Sequence, residues 1–143
     1  MNIINGDLLQ FTEGVIIHQV NNRRVMGAGV AKSIATKYPM HKQDYLNSKL
    51  DLGSIVITKL SNKFAILGLV AQNGYGRDSS HCYTDYEALK DCLMRIAYWH
   101  KLNPTVKYYV PYGIGCGLAN GNWNTVSGLI DTYAPFIIAV KLA

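Results

Sequence analysis

Two glycine-rich segments, each lying between a β-type run and a helical pattern, constrain this chain more than any other feature. The first reads Asn21-Asn22-Arg23-Arg24-Val25-Met26-Gly27-Ala28-Gly29-Val30-Ala31 and follows a compact apolar run at 15–19. The second reads Pro111-Tyr112-Gly113-Ile114-Gly115-Cys116-Gly117-Leu118-Ala119-Asn120-Gly121 and follows a run at 106–110. Small residues let a ligand approach the main chain, and glycine tolerates the backbone angles that expose successive N–H groups. A helix N-terminus adds unpaired N–H groups and partial positive charge, so each segment suits a phosphate. Taken singly, either could be a tight turn. Taken together, at strand ends of one small α/β unit, they can face each other across the crevice where such sheets bind ligands. A diphosphate between them would be held from both sides.

Neither segment is a P-loop, because the lysine and hydroxyl of G-x-x-x-x-G-K-[ST] are missing, and neither carries G-x-G-x-x-G. The expected ligand is therefore a nucleotide diphosphate held by backbone, with no obligatory metal ion and no cofactor.

The rest of the chain supports an α/β sheet. Helices are predicted over 26–38, stopped by Pro39, and from Thr84, where Thr84 and Glu87 have capping-box spacing. A third is predicted over 122–133. Strands are predicted at 15–19, 54–59, 64–71, 106–111 and 136–140, with a short one before Asp7. Ser61-Asn62 between two of these runs predicts a hairpin, which makes the sheet mixed. With 143 residues, one domain spanning 1–143 is expected.

Composition excludes several classes. Hydrophobic residues make up 49% and charged residues 16%, so the chain can build a core. The longest apolar run, 64–71, is far too short to span a bilayer. Residues 1 and 2 show no leader pattern, and Cys82, Cys92 and Cys116 lack metal-ligand spacing, so a reducing, cytoplasmic setting and no metal site are expected. The net charge of +5 attracts anions in general. The basic residues are scattered, which argues against a nucleic-acid groove.

Three polar residues have two readings each. Asp7 is either a turn or N-cap residue or an acceptor for an adenine amino group. His18 is either a satisfied core histidine or an acid, base or nucleophile beside the first loop. Asn122 is either an N-cap for the last helix or a group that orients water or phosphate. Cys116 reads first as a small packing residue.

The segments His18-Gln19-Val20-Asn21 with Met26-Gly27-Ala28-Gly29-Val30-Ala31, Ala71-Gln72-Asn73-Gly74-Tyr75-Gly76 with Tyr83-Thr84-Asp85-Tyr86-Glu87-Ala88-Leu89, and 111–123 resemble macrodomains. The resemblance runs through nearly the whole chain. It is strongest to the branch that contains ADP-ribose-1″-phosphate phosphatases and phage-encoded relatives. It implies a three-layer α/β/α fold around a mixed six-stranded sheet, with ADP-ribose in the cleft. It implies Asp7 on the adenine with Leu8 beside it, and Asn21 at the distal ribose. Gly27, Ala28, Gly29, Val30 and Ala31 would hold the diphosphate together with Gly113, Ile114, Gly115, Cys116, Gly117 and Leu118. His18 matches a histidine tied to activity.

Three departures matter. The phosphatases have an acidic residue where this chain has Asn122, and the related terminal ADP-ribose glycohydrolase has one where this chain has Ala119. That glycohydrolase also uses a lysine nucleophile where this chain has Gln72-Asn73, against a covalent route here. An amide cannot serve as a general base. The expectation is a monomeric protein that binds ADP-ribose or ADP-ribose 1″-phosphate and removes the phosphate of the latter, with His18 and Asn122 as catalytic candidates. The alternatives are a non-catalytic reader or sequestering module, and a hydrolase that frees ADP-ribose from protein or nucleic acid.

Overall fold

The computed structural model describes residues 1–142. The elements in chain order are β1 (Asn2–Asn5), a 3-10 turn (Leu8–Gln10), β2 (Gly14–Asn21), α1 (Gly29–Lys37), α2 (Pro39–Asn47), β3 (Ile55–Lys59), β4 (Phe64–Gln72), α3 (Tyr86–Leu102), β5 (Tyr108–Pro111), α4 (Trp123–Tyr133) and β6 (Ile138–Lys141). The sheet order is β1-β6-β5-β2-β4-β3. All neighbours are parallel except β3, which pairs antiparallel with β4. The sheet is therefore six-stranded and mixed, and the 61–62 turn makes the hairpin that the sequence predicts.

The central strands are apolar almost throughout because both faces are covered. Alternate residues sort onto the two faces. Ile17, Leu67, Leu69, Ala71, Tyr108 and Val110 pack beneath α3 and α4. Ile16, Phe64, Ile66 and Tyr109 pack on the other face around Ile34 of α1, and Val20, Val56 and Val70 around Tyr45 of α2. The result is three layers, helices–sheet–helices. No helix among the described residues is long and apolar enough to cross a membrane.

Two sequence readings need correction. The helix over 26–38 starts only at Gly29; it ends before Pro39 as expected, but Pro39 also opens a second helix that the sequence did not predict. Tyr38 (φ −126°, ψ 76°) breaks the chain direction, and Pro39 then opens α2 at its first turn. There its missing N–H has no intrahelical acceptor to lose and its fixed φ is already helical. Thr84 is not the N-cap of α3. Asp85 caps it by accepting from Ala88 N–H at 2.9 Å, and the Thr84 hydroxyl is committed elsewhere.

Candidate functional site

Five parallel strands end at one edge of the sheet, and the loops after β2, β4 and β5 enclose a cleft of about 710 Å³ there, within the range of small-ligand sites. On one wall is the start of α1. Its N-cap, Ala28, has no side chain that can accept a hydrogen bond. The first intrahelical bond runs from Lys32 N–H to Ala28 O, so the amides of Gly29, Val30 and Ala31 lack an intrahelical partner. By contrast, Asp85 and Asn122 cap α3 and α4 with side-chain oxygens. Of the helices, α1 and α2 have no side-chain cap; Pro39 opens α2 with no N–H at its first position, and α1 is the uncapped one that faces the cleft.

The opposite wall is the loop after β5. It folds on itself through Cys116 N–H to Gly113 O, Asn120 N–H to Gly117 O and Gly121 N–H to Gly115 O. The amides of Gly113, Gly115, Gly117 and Leu118 have no acceptor among the described residues. Gly115 needs its glycine: φ is +75°, and a Cβ would lie 2.9 Å from Gln19 Oε1. Thr84 fastens this loop to the sheet. Its hydroxyl donates to Gly115 O at 2.6 Å and accepts from Gln19 Nε2 at 3.0 Å. That tertiary demand is why Thr84 does not cap α3.

The first loop is shaped by Asn21 and by Tyr45 of α2. Asn21 Oδ1 accepts from Arg23 N–H at 2.9 Å, and Asn21 Nδ2 donates to Val25 O at 2.8 Å. Tyr45 Oη lies 2.7 Å from Asn21 Oδ1 and accepts from Val25 N–H at 3.1 Å. Asn21 reaches the cleft, but its side chain is mostly occupied in organising the loop.

His18 lies at the floor of the cleft, 1% exposed. Its Nε2 is 2.8 Å from Nε2 of His41, whose Nδ1 is 2.7 Å from Thr58 Oγ1; Thr58 in turn donates to Asp44 Oδ2 at 2.7 Å. His18 Nδ1 is buried with no partner among the described residues. Gly68 sits opposite His18 in β4, and a Cβ there would meet His41 Nε2 at 3.3 Å, so the missing side chain makes room for the pair. Burial, and then the neighbouring His41, hold the His18 imidazole well below its usual range. Burial pulls His41 down to about 4 against the opposing pull of Asp44. Both rings are neutral at pH 7.

Of the residues that the sequence singled out, the cleft brings together His18, Asn21, Gly27, Ala28, Gly29, Val30, Ala31, Gly113, Ile114, Gly115, Gly117 and Leu118. Four others do not line it. Asp7 is an exposed N-cap whose Oδ1 accepts from Leu9 N–H at 2.9 Å. Leu8 is buried in the core against α1. Cys116 packs against the α3–α4 core, and burial pushes its thiol up to about 11, so it is protonated at neutral pH. Asn122 is exposed, and its Oδ1 accepts from Thr125 N–H as the cap of α4.

The sequence reading leaves out Gln19, Gln72, Tyr112 and the Tyr75–Gly76–Arg77 rim. The last had a signal in Gly74-Tyr75-Gly76, a third glycine loop at a strand end. Among the described residues no acidic side chain lines the cleft, and Arg77 is its one cation. No three His, Cys, Asp or Glu side chains among those residues gather as a metal site needs.

No protein-family model matches the chain. It is 27% identical over 147 residues to an uncharacterized 17.5 kDa protein of the tk-vs intergenic region of Enterobacteria phage T4, covering 92% of this chain and 88% of that protein. Among solved structures it is similar to a protein of unknown function from Bacteroides thetaiotaomicron (TM-score 0.85, 24% identity, 99% of this chain and 97% of that one). It is similar to a macrodomain protein from Streptomyces coelicolor (TM-score 0.78, 20% identity, 98% and 97%). It is also similar to Thermosipho africanus DarTG in complex with ADP-ribose (TM-score 0.77, 17% identity, 99% and 42%). The architecture is the macrodomain fold.

Proposed function

We propose that this chain binds ADP-ribose or a close derivative, with the diphosphate between the two glycine loops. One observation carries the reading: an uncapped helix N-terminus and a loop of free amides share one cleft that, among the described residues, no acidic side chain lines. Preorganised N–H groups out of water are strong partners for an anion, and the absence of carboxylates spares it repulsion. The likeness to a structure described with ADP-ribose supports the same ligand here. Asp7 is the adenine acceptor in this reading. It follows β1 on the same edge of the sheet as the loops, and among the described residues only its Oδ1 is engaged. Calorimetric titration with ADP-ribose, with AMP as a single-phosphate control, tests this. Binding of ADP-ribose well above AMP supports it, and no binding of either sinks it. Asp7→Ala with unchanged affinity removes the adenine assignment alone.

A second reading adds turnover: release of phosphate from ADP-ribose 1″-phosphate. The observation that favours it is His18, neutral, lining the cleft, and with a buried ring nitrogen that has no partner among the described residues. Asn122 has no part in it, because its side-chain oxygen closes α4. Phosphate release by the wild-type protein that disappears in His18→Ala establishes an enzyme. Binding without release makes the protein a reader or sequestering module for ADP-ribose.

A further inference from the structure

We propose that His41, Thr58 and Asp44 are positioning residues that hold His18 in a single tautomer, with its proton on Nε2 and the Nδ1 lone pair offered to a hydroxyl or water of the cleft's ligand. The direction is set from the acidic end. An ionised carboxylate only accepts, so the one hydroxyl proton of Thr58 points at Asp44 Oδ2, 2.7 Å away. Thr58 Oγ1 then has only lone pairs for His41 Nδ1 at 2.7 Å, and Nδ1 must carry the proton of that bond. A neutral imidazole has one N–H, so His41 Nε2 is bare. The 2.8 Å contact between the two Nε2 atoms needs one proton, and only His18 can supply it. His18 Nδ1 is thereby left unprotonated, and it is the ring nitrogen that has no partner among the described residues.

The chain of bonds is buried where it matters. His18, His41 and Thr58 are each at most 1% exposed, so water does not scramble the direction. The histidines are neutral because burial disfavours the imidazolium at both. An outer partner that fixes a histidine's tautomer is a recurrent device where the other nitrogen does the work. At neutral pH His18 is therefore an acceptor, or a base, and not an acid. The tautomer does not depend on the identity of the ligand; only the acceptor role rests on the ADP-ribose reading above.

Long-range nitrogen–proton correlation spectra of protein labelled with ¹⁵N-histidine test the assignment, with resonances assigned through His18→Gln and His41→Gln. The expected pattern is protonated Nε2 and bare Nδ1 on His18, with the reverse on His41. A protonated His18 Nδ1 overturns the proposal. Asp44→Ala frees the Thr58 hydroxyl to donate to His41 and is expected to admit the reversed tautomers, as is Thr58→Val by removing the acceptor. Tautomers unchanged in both folded variants overturn the positioning role. In the same samples ADP-ribose is expected to move the His18 Nδ1 resonance and to bind Asp44→Ala roughly two- to tenfold more weakly, the range of one hydrogen bond. Binding that leaves Nδ1 unmoved overturns the acceptor role. Absence of any ADP-ribose binding, with the expected tautomers present, defeats the ligand reading instead.

Discussion

The hydroxyl of Tyr45 lies 2.7 Å from the backbone carbonyl oxygen of Asn21, which ties α2 to the first residue of the ligand loop. Tyr45 is fully buried and also meets Asn21 Oδ1 and Val25 N–H. Tyr45→Phe keeps the ring in its packing and takes the hydroxyl away from Asn21 O and Val25 N–H, while Asn21 Oδ1 keeps Arg23 N–H. Removing one side of a buried hydrogen bond costs about 1–3 kcal/mol. Looser loop geometry must be re-ordered on binding, so ADP-ribose affinity is expected to fall roughly fivefold. Denaturation midpoints and calorimetry on the variant check both. A drop in stability with affinity intact would mean that the loop does not depend on this anchor.

At Gly29, stability and binding are expected to move in opposite directions. The position has φ +61°, and a Cβ added there would have no atom within 4 Å. Asn and Asp are the non-glycine residues that best tolerate that region. Gly29→Asn and Gly29→Asp carry the same strain and differ in charge. The carboxylate at the first turn of α1 should stabilise the fold by about 0.3–1 kcal/mol over the amide. It should also repel a diphosphate and weaken ADP-ribose binding at least roughly tenfold relative to Gly29→Asn. Equal affinities would take the diphosphate away from this helix end.

Much of this site is legible in the sequence, and the part that is not has a common cause. The two loops announce themselves through glycine density at strand ends, because local backbone freedom is a local property. Helix α2 is hidden because Pro39 reads as a stop, and only the break at Tyr38 turns it into a start. With α2 go His41 and Tyr45, four residues apart and both buried, whose partners lie across the fold. His18 and His41 are 23 residues apart, Gln19 and Thr84 65 apart. Thr84 satisfies a capping pattern on paper, yet Gly115 and Gln19 claim its hydroxyl. Local rules lose where a tertiary partner competes for the same atom.

Asn122 offers a clean separation of fold from function. Its Oδ1 accepts from Thr125 N–H, and its own N–H donates to Tyr86 Oη at 2.9 Å. Asn122→Asp keeps an N-cap acceptor and adds favourable charge, so stability should hold or rise by about 0.3–1 kcal/mol. Asn122→Ala should lose about 1 kcal/mol. Both should bind ADP-ribose within roughly twofold of wild type, since a change that small is below one hydrogen bond. Calorimetry and urea midpoints on the pair decide it. A large change in affinity, or a gain of phosphate release in Asn122→Asp, would bring this residue back to the cleft.

Acid should destabilise this protein earlier than its carboxylates alone would dictate. Burial pulls His41 down to about 4 in the folded chain, and His18 moves in the same direction, whereas an unfolded histidine titrates near 6.5. Between those values the unfolded chain binds protons that the folded one refuses. Stability is therefore complete above about pH 6.5 and is lost as pH falls toward about 4, with roughly 3 kcal/mol at stake for His41. Urea midpoints from pH 7 to 5, a window above most carboxylates, should fall steadily for the wild-type protein. The double variant His18→Leu with His41→Leu replaces both rings with apolar side chains and should show a much flatter profile there. Equal slopes for the two proteins would mean that the folded pair takes up protons over the same range as unfolded histidines, and the neutral acceptor that burial maintains beneath the cleft would be lost with it.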